Sequence, residues 1–201
     1  MNSKLRKMIH IIQKGDTRRK DEAIEIYQKC DRDPWAETVL FGKSFEHDLT
    51  GDIIKDRRSI RKYTDKKVER DKLMQILESG LYAPSSCNRQ PIVYKIITGQ
   101  EAGKHKAQRF IKGADVVVLV LVDMDVYEKQ GEYFSLLDAG AAIQNMLLKA
   151  HMLGLGACWV NTAENETVKF DIPKKYRIAS MVCLGYPAES PYVNRKKMEI
   201  I

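Results

Sequence analysis

The stretch DVVVLVLV, residues 115 to 122, is the longest apolar run in the chain and decides its fold. Seven successive valines and leucines are far short of the ~20 residues of a membrane span, but they suit a strand covered on both faces. Such a strand needs neighbours in a sheet and something packed above and below it. Upstream, Ile92 to Thr98 (IVYKIIT) is β-branched and stops at Gly99, which predicts a second strand. Downstream, Ala157 to Val160 and Ile178 to Leu184 predict two more. Two helices supply the cover. Arg70 to Leu81 sets Leu73, Ile76, Leu77 and Leu81 on one stripe, closed by Gly80 and Pro84. Ser135 to His151 spaces Leu136, Gly140, Ile143, Leu147 and Ala150 along a face rich in small residues, which permits close packing. Strands interspersed with helices predict an α+β sandwich around one sheet.

Composition restricts the function classes. The 201 residues suit one domain with a proper core. The N-terminal basic stretch has too short an apolar segment for a signal peptide, so a cytoplasmic protein is expected, with no membrane partner. The cysteines Cys30, Cys87, Cys158 and Cys183 have no CxxC spacing and read as free thiols; no metal-ligand pattern appears among the histidines. The net charge of +7 is concentrated. Residues 55–72 hold nine Lys/Arg against four acids, and residues 174–197 hold six against one. These basic stretches lack the aromatic interleaving that stacks bases, so a nucleic-acid partner is not expected.

Two short segments carry the chemistry. DRRSIRKY packs Arg57, Arg58, Ser59 and Arg61 into five positions. Guanidinium groups grip a phosphate through paired N–H donors, and a serine hydroxyl adds a short neutral one. The bland alternative is an exposed basic helix start. About twenty residues later, Pro84, Ser85, Ser86, Cys87, Asn88, Arg89, Gln90 and Pro91 form a small-polar loop between two prolines. Such a loop has few conformations to lose and presents short donors to a ring; otherwise it is a surface turn. Cys87 has no histidine at a pairing distance in sequence and is assigned no catalytic role. Further on, GLGACWVNT (Gly154 to Thr162) reads as a helix stop and a core strand with a packed Trp159. Gly185, Tyr186 and Pro187 precede a last arginine, Arg195.

Over residues 53–201 these segments together resemble the nitroreductase family of flavin mononucleotide (FMN) enzymes. The resemblance implies a mixed or antiparallel sheet flanked by helices, in a domain-entwined homodimer. It puts the run of Arg57, Arg58, Ser59 and Arg61 against FMN, with Arg57 and Ser59 on the phosphate and ribityl chain and Arg61 toward the pyrimidine side of the ring. Pro84, Ser85, Ser86 and Asn88 would reach the flavin of the partner subunit. Ile92 stands after Pro91 where the family usually has tryptophan. A backbone N–H at Asn161 or Thr162 would meet flavin N5, and Arg195 would return to the phosphate. The implied activity moves two electrons from NADH or NADPH, through the flavin, to a small organic acceptor such as a nitroaromatic or quinone, in a ping-pong sequence. No side chain is assigned as an obligatory acid or base. The same scaffold supports dehalogenation, flavin destruction and ring dehydrogenation, and a flavin-binding protein without turnover is the other alternative. Residues 1–52 lie outside the resemblance and are expected to be a helical extension.

Overall fold

The computed structural model describes residues 51–104, 108–127, 131–161, 170–191 and 197–200. Nearly all of these fall in one compact unit, Leu49–Glu189. Residues 197–200, outside that unit, form no helix or strand.

The unit begins with a short helix α1 (Ile53–Asp56), capped by the Asp52 side chain, which accepts from the backbone N–H of Ile54 at 3.0 Å. After it come α2 (Arg70–Leu81), β1 (Ile92–Thr98), a one-turn helix α3 (Gly99–Ala102), β2 (Val116–Asp123), the long helix α4 (Gly131–Met152), β3 (Gly156–Val160) and β4 (Tyr176–Gly185). The four strands pair in the order β1-β2-β4-β3, every pairing antiparallel. One parallel bridge, Ser59 to Ala157, adds an extended segment outside β3. The sheet is therefore antiparallel with a single parallel contact at its margin.

Covering on both faces of β2 follows from its run of apolar residues. Val118, Val120 and Val122 face α2 and α4, where they meet Ile76, Leu77, Ile143, Met146 and Leu147. Val117, Leu119 and Leu121 face the other way, against Ile97, Ala102, Ile111, Met181 and Cys183. That second layer is closed by α3 and by a 3-10 turn, Arg109–Gly113, neither of which has a sequence period to announce it. A bulge in β4 opposite Val120 and Leu121 shifts the register by one residue, so Ser180 and Ile178 take opposite faces of the sheet.

Two expected core stripes need correction. Leu81 is 52% exposed, and Gly80 takes the buried place at that turn of α2. Leu136 of α4 also points outward, while Ser135, Asp138, Ala139 and Ala142 are turned inward. Small and polar residues face the core here because the helix lies close to its neighbours.

Candidate functional site

Arg57 to Tyr63 leaves α1 and runs extended beside β3. The backbone N–H of Ile60 donates to the Ala157 carbonyl at 3.0 Å. Farther along, Thr64 N–H donates to the Tyr186 carbonyl at 2.9 Å, and Ala188 N–H donates to the Lys62 carbonyl at 2.9 Å. Ile60 is buried, so in an extended chain its neighbours Ser59 and Arg61 turn to the opposite side. Tyr63 anchors the segment by donating its hydroxyl to the Ile60 carbonyl at 2.6 Å; burial pushes its pKa well above the usual phenol range, with Cys183 and Cys158 adding to it. The backbone N–H of Arg61 donates to Glu189 at 2.6 Å, and its guanidinium stands 5.8 Å from the centre of the Phe110 ring. Arg58 folds back, donating to the carbonyls of Lys55 and Arg57, and so closes the end of α1. The donor set that faces outward is short, polar and cationic. That chemistry fits a phosphate monoester.

The proline-flanked loop has its own framework. Ser86 to Asn88 is a 3-10 turn, and Cys87, Asn88 and Gln90 all take left-handed backbone angles, with φ of 51°, 52° and 49°. Ser85 Oγ accepts from Gln90 N–H at 2.9 Å, and Asn88 Oδ1 accepts from the Gln90 side chain at 3.2 Å. Pro84, Ser85, Gln90 and Asp138 line a small cleft with Gly80 and Ile92. The loop feeds directly into β1, whereas the Arg57–Tyr63 segment flanks β3. These are opposite edges of the sheet.

Asn161 follows the last residue of β3 and is exposed, on the same strand that the Ser59 segment borders. Thr162 and Arg195 lie outside the described residues. Trp159 differs from expectation: it is 41% exposed, with its indole N–H donating to Ser180 Oγ at 2.5 Å and its ring rim 3.6 Å from where a Cβ on Gly140 would stand. It rests on α4 rather than filling the core. Cys87 is exposed, and Cys158 and Cys183 are buried opposite one another on β3 and β4; all three are free thiols.

Comparisons with known proteins place this fold in a family. Residues 50–201 fit the family model described as "Putative TM nitroreductase". The chain belongs to the nitroreductase family. A curated relative from Methanothermobacter thermautotrophicus, "Putative NADH dehydrogenase/NAD(P)H nitroreductase", is 34% identical over 151 residues, covering 70% of this chain and 78% of its own. The "FMN reductase [NAD(P)H]" of Bacillus subtilis is 29% identical over 161 residues, 67% of this chain and 64% of the relative. Among solved structures, a "putative nitroreductase in complex with FMN" from Desulfovibrio desulfuricans superposes with a TM-score of 0.67 at 32% identity, covering 73% of this chain and 90% of that one. The nitroreductase fold, with its antiparallel sheet and helices, is thus the fold of this chain. No helix among the described residues is long and apolar enough to cross a membrane.

Sequence reasoning passed over two residues that organise the proline-flanked loop. Asp138 is a buried acid inside the apolar run FSLLDAGAAI, and Tyr127 donates to it at 2.5 Å. The signal was present. A lone carboxylate amid nine uncharged residues is buried only when it has donors to satisfy it.

Proposed function

We propose that this nitroreductase is an FMN-dependent NAD(P)H oxidoreductase that reduces a small organic acceptor. The observation that carries the reading is the pair Ser59 and Arg61, turned away from buried Ile60 just after Arg57, in a segment held on the edge of the sheet by backbone hydrogen bonds. Arg57 and Ser59 would hold the phosphate and ribityl chain, and Arg61 would stand by the pyrimidine side of the ring. Asn161 or Thr162 would offer a backbone N–H to the ring, and Arg195 would close on the phosphate. FMN, when bound, supplies two-electron transfer between a nicotinamide and the acceptor, each using the same site in turn. The chain's own share is to bind, orient and shield.

The loop of Pro84, Ser85, Ser86 and Asn88 would complete the site of a partner subunit. Its place at the opposite edge of the sheet from Ser59 supports a two-chain site. So does the apolar surface on α2 and α4, where Leu81, Tyr133, Phe134, Leu136 and Leu137 are 43–68% exposed. Residues 1–52 would be an addition to the flavin-binding part, residues 53–201.

The absorption spectrum of purified protein tests the reading. Oxidised flavin should be visible, should leave with heat or acid as free FMN, and should return on reconstitution. NAD(P)H oxidation with a quinone or nitroarene should then exceed that of free FMN. Protein that neither carries nor takes up FMN would sink it.

A further inference from the structure

The loop that carries Ser85, Ser86 and Asn88 is tied to α4 by one buried carboxylate. Asp138 is 7% exposed. Its Oδ1 and Oδ2 accept the backbone N–H of Ser86 at 3.0 and 3.1 Å, and Oδ2 also accepts the Tyr127 hydroxyl at 2.5 Å. Around this pair lies Arg89, whose guanidinium donates to the Ser86 carbonyl at 3.0 Å and to Ser86 Oγ at 3.3 Å. The same guanidinium stands 5.7 Å from the centre of the Tyr127 ring. Tyr127 remains a donor across the working pH range, because burial and its bond to Asp138 push its pKa far above neutrality.

Two features make this arrangement more than a helix contact. Burying a carboxylate is costly unless donors surround it, so the group is not a filler of space. The loop also holds three non-glycine residues in left-handed backbone, a conformation that persists only where surrounding contacts fix it. The Ser86 amide, at the start of that strained run, is the point at which Asp138 grips. Asp138 also lines the cleft with Pro84, Ser85 and Gln90.

We propose that Asp138 is a positioning residue for the flavin loop. Through the Ser86 amide, with Tyr127 as second donor, it sets where Ser85, Ser86 and Asn88 present their donors to the ring. The proposal rests on the FMN-dependent function proposed for this chain.

Three variants and a control test it: Asp138→Leu, Asp138→Asn, Tyr127→Phe, and Ile111→Val on the opposite face of the sheet. Each is reconstituted with FMN, followed by flavin fluorescence, by visible circular dichroism of the bound flavin, and by Tm. Asp138→Leu should weaken FMN binding about tenfold or more and alter the visible dichroism, as expected when a charged hydrogen-bond acceptor is lost. Asp138→Asn, whose amide oxygen still accepts the Ser86 N–H, should recover most of that loss. Tyr127→Phe should move affinity and dichroism in the same direction by less. Ile111→Val should lower Tm and leave both flavin signals alone. If the Asp138 variants behave like Ile111→Val, Asp138 serves folding only and the proposal is overturned. If Asp138→Leu does not fold, unchanged FMN affinity and dichroism in both milder variants overturn it equally. Wild-type protein that binds no FMN would overturn the functional reading and this proposal together, and the wild-type titration distinguishes that outcome from the others.

Discussion

Arg57 is the side chain on which the phosphate assignment depends most. Arg57→Ala should weaken FMN binding by about 1.5–3 kcal/mol, the range for a hydrogen bond to a charged group, or about 10- to 150-fold in affinity. Riboflavin, which lacks the phosphate, should lose less; equal losses in parallel titrations would put Arg57 on the ring or on folding. A neighbouring group gives a pH prediction. Burial pulls the pKa of His151 below its ordinary 6.5; Asp56 opposes the shift, and Arg57 and Arg58 reinforce it. The unfolded chain then binds more protons than the folded one below about pH 6.5, so stability should fall as pH drops through that window. His151→Gln should flatten the slope of Tm against pH as pH falls below about 6.5; an unchanged slope would assign it to other groups. At this scale the sequence was readable at Leu73, Ile76, Leu77, Ile143 and Leu147, whose helical spacing does put them in the core. It misled at Leu81, Leu136 and Trp159. Helical or strand spacing marks a residue as apolar without saying whether its own core or another surface covers it.

For the elements, periodicity carried nearly everything. The helix expected at Arg70–Leu81 and the strand at Ile92–Thr98 form with those bounds, and β2, β3 and β4 differ from expectation by one or two residues at their ends. What was hidden were the pieces too short to show a period, α3 and the 3-10 turn at Arg109–Gly113, which close the second face of the sheet. The packing of α2 rests on a position where a side chain does not fit. A Cβ on Gly80 would lie 2.1 Å from the Tyr94 hydroxyl and 3.3 Å from Met146 Cγ, while the Tyr94 ring carbon Cζ is a comfortable 3.4 Å away. Gly80→Ala should therefore cost about 1–3 kcal/mol in chemical denaturation, as overpacking does, despite alanine's better helix propensity. Adding Tyr94→Phe removes the clashing oxygen and should restore most of the loss. A double variant no more stable than Gly80→Ala would mean that α2 itself, not the hydroxyl, resists the methyl group.

Across the whole molecule, the separation of the two motifs is what the sequence could not show. Residues 59 and 85 are close along the chain, yet the sheet order sends the Ser59 segment outside β3 and the Ser85 loop to β1, four strand spacings of ~4.8 Å apart. A dimer joining such edges should have a cost in exposed surface when separated, and the face to test is α4. Leu137 is 52% exposed; Leu137→Glu should convert a dimeric mass in light scattering to a monomeric one, with FMN loosened in step. Wild-type protein that is monomeric at every concentration and retains FMN would refute the two-chain site. The Ser59–Tyr63 segment has one more role. β3 ends the sheet, and an uncovered edge strand is a template on which another chain can add. Ile60 occupies the Ala157 carbonyl, and Tyr63 steadies the segment from within. The stretch proposed to hold the FMN phosphate thus also guards that edge against aggregation. Loosening it by Tyr63→Ala should appear first as turbidity on gentle warming, before any loss of yellow colour.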